Sequence, residues 1–219
     1  HIREQCMVNG FNLYKPYREL KKLDDLILSE IDVAYSNDYG YITSSPSNLG
    51  TGMRASVMLF LPALERNGDI NLLKKEARQQ GYTIRGLYGE GSETYGSFYQ
   101  ISNQNSLGLS EEEIIDGVSD YVYNICQMEL SAREDILASN HDKLIDEIYR
   151  AYGILKECYS LEEKEMIELL ALIKFGDALG FLKISDQKSF EKLLVEGASA
   201  NLREIESFSE ILKEEQVRS

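Results

Sequence analysis

Two loops gather the side chains whose types and spacing could do chemistry. The first runs Ser44-Ser45-Pro46-Ser47-Asn48-Leu49-Gly50-Thr51-Gly52-Met53-Arg54-Ala55-Ser56, small and polar until it meets an arginine at the start of a strand-like run. Small residues let a ligand approach the backbone, and free N–H groups beside hydroxyls suit an anion. Arg54 adds a planar fork of donors able to clamp a phosphate oxygen pair. The second loop, Arg85-Gly86-Leu87-Tyr88-Gly89-Glu90-Gly91-Ser92-Glu93, again joins a strand-end arginine to a glycine loop, now with two carboxylates. Arginine for phosphate and carboxylate for a cation is the pairing needed when an anionic group moves onto a cationic acceptor. Neither loop matches G-x-x-x-x-G-K-[ST] or G-x-G-x-x-G. Out of context, the first reads as an ordinary surface connection and the second as a hairpin turn with solvated acids.

The elements that must position these loops are read from periodicity. Tyr39–Ser44, Arg54–Leu61, Tyr82–Tyr88 and Ser97–Asn103 are β-branched and aromatic runs between turn signals, and they predict strands. A helix is expected over Asp69–Gln80, with Asp69 as N-cap and Gly81 as stop, and another over Pro16–Glu30 with Leu20, Leu23 and Ile27 on one face. From Ser110 the period is helical. Ser110 with Glu113, Ser160 with Glu163 and Asn201 with Glu204 each read as a capping box ahead of an apolar stripe. The expected fold is α+β, an antiparallel sheet flanked by helices over residues 1–135, then an all-helical domain over 136–219.

Composition narrows the classes. With 219 residues, 43% hydrophobic and 27% charged, the chain can bury one large core or two modest ones and is not disordered. No apolar run approaches the roughly 20 residues of a membrane helix. A net charge of −14 works against direct nucleic-acid binding. Cys6, Cys126 and Cys158 form no C-x-x-C pair, which fits a reducing, cytoplasmic setting and offers no zinc site. Cys126 and Cys158 fall in helical stretches and are expected to be buried. No Lys or Arg occurs between Arg85 and Arg133, and the acids Glu111, Glu112, Glu113, Asp116, Asp120 and Glu129 there are expected on a solvated helix face. His141, in an Asn-His-Asp run expected between helices, reads as solvent-facing. Tyr95, Phe98 and Tyr99 read as sheet packing.

The run Gly40-Tyr-Ile-Thr-Ser-Ser-Pro-Ser-Asn-Leu-Gly-Thr-Gly-Met-Arg-Ala-Ser-Val-Met-Leu-Phe-Leu-Pro62 resembles the signature of the ATP:guanido phosphotransferases. Arg85–Glu93 and Ile101-Ser-Asn103 resemble further blocks of that family. Within it the stronger likeness is to the bacterial kinases that act on protein arginine. Tyr88 stands where small-molecule enzymes carry another arginine, and Ser131-Ala-Arg-Glu134 with Tyr149-Arg-Ala-Tyr-Gly153 resembles the helical C-terminal domain of that branch. The resemblance implies ATP and Mg²⁺, with Arg3, Arg54 and Arg85 on the phosphates. Ala55, Ser56, Val57 and Met58, with Gly86, Leu87, Tyr88, Gly89 and Glu90, would line the nucleotide site. Glu90 and Glu93 would hold the target guanidinium or accept its proton, beside Ser45.

The resemblance also implies a homodimer, protein substrates reached through their arginine side chains, and marking for a Clp-type protease. A zinc-binding activator protein and a heat-shock repressor are the implied partners. His1-Ile2-Arg3 resembles the end of a family block, so the family's catalytic glutamate and N-terminal arginines are expected upstream of this sequence, and the isolated chain is expected to be inactive. Two departures stand out. Ser45 replaces the usual cysteine, and the phosphoarginine-binding pattern near the C-terminus survives only as Arg203-Glu204 with Ser207 in place of its second arginine. Regulation by phosphoarginine is therefore not expected. A small-guanidine kinase and an inactive binding or dimerisation module are the alternatives.

Overall fold

Strands occupy the glycine-bearing first half of the chain, and long helices follow. The computed structural model describes residues 2–88 and 94–186, together with Lys188, Phe190, Lys192 and Leu193. In chain order these form α1 (Tyr14–Glu30), β1 (Tyr35–Ser36), β2 (Gly40–Tyr41), β3 (Ser56–Phe60), α2 (Pro62–Asn67), α3 (Ile70–Gln79), β4 (Tyr82–Tyr88), β5 (Tyr95–Asn103), α4 (Glu111–Glu157) and α5 (Glu163–Ala178). The class is the expected one, small antiparallel sheets flanked by helices.

β1 pairs antiparallel with β2, and the larger sheet has the order β3-β5-β4. Three pairings set β3 against β5. The Ala55 N–H donates to Asn103 Oδ1 at 2.9 Å, the Phe60 and Phe98 rings lie 5.0 Å apart, and the Leu61 N–H donates to the Ser97 carbonyl at 2.9 Å. Partner numbers fall as those of β3 rise, so these strands run antiparallel. The connection from β4 to β5 is too short for a parallel crossover, and the Gln104 N–H donates to the Gly81 carbonyl at 2.8 Å.

Alternation along the strands then sorts the side chains. Ala55, Ile84, Tyr99, Ile101 and Asn103 share a buried face. α3 and α4 supply its cover: the Lys74 ammonium sits over the Tyr99 ring, and Tyr82 stacks on Tyr121 with centroids 4.3 Å apart while its hydroxyl donates to the Gly117 carbonyl. Arg54, Ser56, Met58, Arg85 and Gln100 fall on the opposite face.

The chain divides into two compact units, and neither is continuous in sequence. Residues 1–59, 69–85 and 99–127 make one; residues 60–68, 86–98 and 128–219 make the other. α4 runs unbroken through residues 135 and 136. In the second unit, Ala151, Leu155, Met166, Ile167, Leu170, Ile173 and Phe190 form the core, with Tyr95 and Phe98 packed against it.

Several local expectations are corrected. α1 forms, but none of its residues is fully buried: of the Leu20, Leu23 and Ile27 stripe, Leu20 and Ile27 are half-buried and Leu23 is exposed. α2 goes unpredicted although Pro62 at its first turn and left-handed Gly68 at its end bracket it. Over Tyr39–Ser44 only Gly40–Tyr41 is strand. Asp69 sits at the start of α3 without a side-chain capping bond. The Asn140-His141-Asp142 run lies inside α4 rather than between helices, and Cys158 is exposed rather than buried. Glu129 is buried, not on a solvated face.

The Ser110–Glu113 box is formed: the Ser110 N–H donates to Glu113 Oε2 at 2.8 Å and the Glu113 N–H to Ser110 Oγ at 3.2 Å. The Ser110 N–H, and Ser110 Oγ donating to the same oxygen at 2.9 Å, hold the Glu113 carboxyl below its ordinary range. At Ser160–Glu163 the helix begins only at Glu163, and its flanking Glu162 makes no side-chain cap. Asn201 and Glu204 lie outside the described residues.

Candidate functional site

The first loop is built against the segment that follows β5. Pro46 opens a 3₁₀ turn, Pro46–Asn48, and the Ser45 carbonyl accepts from Thr43 Oγ1 at 2.7 Å and from the Asn48 N–H at 3.0 Å. The loop then passes so close to Ser106 that only glycine fits. Gly50 has φ +89°, and a Cβ there would meet the Ser106 oxygen at 2.5 Å and the Leu107 Cα at 2.8 Å. Ser106 Oγ donates to the Leu49 carbonyl at 2.8 Å, and the Tyr41 N–H donates to the Gly50 carbonyl at 2.9 Å. Beyond the glycines, the Asn103 amide donates to the Met53 and Asn105 carbonyls, both at 3.0 Å, while accepting from Ala55. The polar loop is thereby fastened at both ends before the chain enters β3.

That fastening delivers Arg54 to the face of the sheet away from α3 and α4. Arg85 reaches the same face from β4, opposite Gln100 by the Gly81–Gln104 pairing. By these registers Arg54, just ahead of β3, lies level with Gln104 and Arg85 with Gln100, so the two are separated by roughly 10 Å across β5 and by four residues, roughly 13 Å, along it. Between them Gln100 Nε2 donates to Ser56 Oγ at 3.0 Å, and Met58 is 42% exposed. Arg54 and Arg85 are both exposed, and among the described residues neither has a carboxylate partner. In a chain with 37 acids against 23 bases, two such guanidinium groups on one face are available to an outside anion.

The other candidates are distributed as follows. Ser56 and Met58 share the arginine face, whereas Ala55 and Val57 alternate to the other side, Ala55 being buried. Gly86 is crowded: a Cβ would meet Thr94 Oγ1 at 2.5 Å. Leu87 is exposed and Ser45 half-buried. Arg3 is exposed in the irregular segment before α1, and the strand register that relates Arg54 to Arg85 does not extend to it. Tyr88 ends β4. Gly89, Glu90, Glu93, Arg203 and Glu204 lie outside the described residues. Among those described, no group of three His, Cys, Asp or Glu side chains could hold a metal ion. No described helix is long and apolar enough to cross a membrane. Two residues that organise the loop, Asn103 and Ser106, were not singled out from the sequence for this role. The signal for Asn103 there was the Ile101-Ser-Asn103 block; Ser106 had none.

Comparison with known proteins matches these elements to a family. The model of the ATP:guanido phosphotransferase, C-terminal catalytic domain, matches residues 1–132, and that of the Protein-arginine kinase McsB C-terminal domain matches residues 141–217. The chain is 42% identical over 215 residues to the protein-arginine kinase of Clostridium tetani, covering 98% of this chain and 63% of that protein. It is 40% identical over 195 residues to the protein-arginine kinase of Bacillus subtilis, covering 89% of this chain and 54% of that one. The chain thus spans about six-tenths of the length of the curated relatives it matches. Among solved structures, the duplicated taurocyamine kinase from Schistosoma mansoni with bound transition state analog components is similar over 56% of this chain and 17% of that one. The identity is 37% and the TM-score 0.50. With 132 of its 219 residues under the catalytic-domain model, the chain belongs to the ATP:guanido phosphotransferase family.

Proposed function

We propose that this chain is the C-terminal catalytic and helical part of a protein-arginine kinase, which transfers the γ-phosphoryl group of ATP to arginine side chains of proteins. The observation that carries this is the pair Arg54 and Arg85, on one sheet face and without carboxylate partners among the described residues. The names of the relatives and the match over residues 141–217 support protein arginine as the acceptor.

Phosphoryl transfer asks chiefly for positioning and for charge neutralisation on the transferring group. Arg54 and Arg85 hold the triphosphate by charge-assisted hydrogen bonds, and Mg²⁺ carried by the nucleotide would supply further charge neutralisation. A guanidinium stays protonated well above neutral pH, so its nitrogen becomes nucleophilic only as a base takes its proton. Glu90 and Glu93 take that part: one carboxylate orients the acceptor and one receives the proton. The acceptor nitrogen bonds to the γ-phosphorus, the bond from that phosphorus to the β,γ-bridging oxygen breaks, and ADP leaves.

The wider setting belongs to the same proposal: a cytoplasmic homodimer that marks proteins for a Clp-type protease, with a zinc-binding activator and a heat-shock repressor as partners. Regulation by phosphoarginine at Arg203 and Glu204 is not part of it. A small guanidino compound is the second acceptor to test, favoured by the likeness to taurocyamine kinase.

The test offers a protein substrate and free arginine side by side to the protein that carries this chain, with Mg·ATP, and follows acid-labile phosphate on each. Phosphoarginine in the protein alone is the expected result. Phosphorylation of free arginine alone transfers the assignment to the small-molecule branch. Near-normal turnover in Arg54→Ala would remove the phosphate contact on which the proposal stands.

A further inference from the structure

The residues on either side of Arg54 are held by one buried side chain. Arg54 and Ala55 precede β3, which begins at Ser56, so no strand ladder fixes their backbone. Asn103, 6% exposed at the end of β5, does so instead. Its Oδ1 accepts from the Ala55 N–H at 2.9 Å, and its Nδ2 donates to the Met53 carbonyl at 3.0 Å. The second Nδ2 hydrogen goes to the Asn105 carbonyl at 3.0 Å, which ties the clamp to the loop leaving β5. The amide can point only one way, because an N–H needs the oxygen and two carbonyls need the NH₂ group. Both donors and one acceptor site are used, so the side chain has no freedom left.

We infer that Asn103 is a positioning residue that sets ATP affinity by fixing the peptide units on both sides of Arg54, an inference that rests on the proposed contact between Arg54 and the nucleotide phosphates. A guanidinium on a fixed backbone meets an anion without first losing loop freedom, and that ordering cost is otherwise subtracted from affinity. Asparagine is suited to this because it alone, at this size, both accepts from one neighbour and donates to the other. Aspartate keeps the acceptor for Ala55 but turns an oxygen toward the Met53 carbonyl. Leucine keeps the volume and loses every bond.

The test is calorimetric titration of the chain with ATP for the wild type, Arg54→Ala, Asn103→Leu and the double variant, at two salt concentrations. Losing a charge-assisted contact should weaken ATP binding roughly tenfold or more in Arg54→Ala. Asn103→Leu should weaken it several-fold and flatten its salt dependence, although no charge has been removed. The double variant should bind no more weakly than Arg54→Ala alone, because the two residues act through one contact. Where Asn103→Leu does not fold, Asn103→Asp takes its place under the same criteria. A loss that persists undiminished in the Arg54→Ala background overturns the inference, since Asn103 is then acting elsewhere. So does wild-type affinity in the Asn103 variant while Arg54→Ala is weakened, and in that case the proposed function stands. ATP affinity that ignores Arg54→Ala overturns the phosphate contact itself, and the role of Asn103 falls with it.

Discussion

Glu129 offers a sharp test of how the helical unit is held. It lies on α4 at 3% exposure, inside a stretch whose acids otherwise look solvated. Its Oε1 accepts from the Ala63 N–H at 3.1 Å and its Oε2 from the Leu64 N–H at 3.0 Å. These are the first backbone donors of α2, since Pro62 has none, and they have no partner within the helix. Arg133, one turn along α4, donates from Nε to Oε1 at 2.8 Å with 19% of its side chain exposed. At such burial, solvent screening removes little.

Replacing Glu129 by Gln leaves one amide oxygen where two carboxylate oxygens took three donors, and it turns an NH₂ group toward an N–H. The remaining oxygen can keep the Ala63 and Arg133 donors of Oε1, so one hydrogen bond to a charged group, that from Leu64, is lost outright, a destabilisation of about 1.5–3 kcal/mol. Glu129→Ala should lose about 3–5 kcal/mol, because Arg133 is then left partly buried and unpaired. The assay is urea unfolding, read as a change in midpoint at constant slope. Glu147→Gln is the internal control. The Arg66–Glu147 pair has the shorter contact, 2.7 Å, but its side chains are 34% and 30% exposed, so its loss should stay under about 1 kcal/mol. If Glu129→Gln costs no more than Glu147→Gln, burial is not what gives the Glu129 contacts their strength.

Gly50→Ala should destabilise the first unit by more than about 1 kcal/mol, since a side chain is disfavoured at this φ and its Cβ would strike backbone atoms; thermal unfolding reports this, and ATP titration reports the displaced loop. Glu113 contributes stability present above the ordinary glutamate pKa and lost as pH falls through its depressed folded value. Ser110→Ala should reduce that acid dependence without abolishing it, because the alanine N–H keeps the larger, backbone bond to the carboxylate; melting temperature against pH measures this. Tyr121→Phe should raise stability by up to about 1 kcal/mol, because its buried hydroxyl has no hydrogen-bond partner among the described residues. Burial, then the charges of Glu76 and Tyr82, push the Tyr121 phenol up. Its contribution is present below the ordinary tyrosine pKa and lost as pH rises through the raised value, so Tyr121→Phe should also flatten the alkaline limb of the melting curve.

What the sequence made legible follows the range of the interactions involved. β4 occupies the expected Tyr82–Tyr88, and the Ser110–Glu113 box forms, because alternation, a turn glycine and a three-residue spacing are local facts. The chemistry-bearing loops were legible for the same reason, as residue types in order. The clamping roles of Asn103 and Glu129 were not, because the backbone groups they hold beside β3 and in α2 lie 48 to 66 positions away; Asn103 was marked only as part of the Ile101-Ser-Asn103 block. α1 shows a different limit: periodicity defined an apolar stripe, but not that its residues would be at most half-buried. Helix α2 was too short for periodicity, though its proline and glycine marked both ends. The decisive case is the face on which Arg54 emerges. A strand slipped by one residue exchanges its two faces. Such a slip would turn Arg54 toward α3 and α4 and bring Ala55 to the open side. The residue types in the loop are compatible with either arrangement. The bond between the Ala55 N–H and Asn103 fixes the register at that end of β3, so a side chain the sequence did not mark for this role is what makes the loop arginine available to an anion.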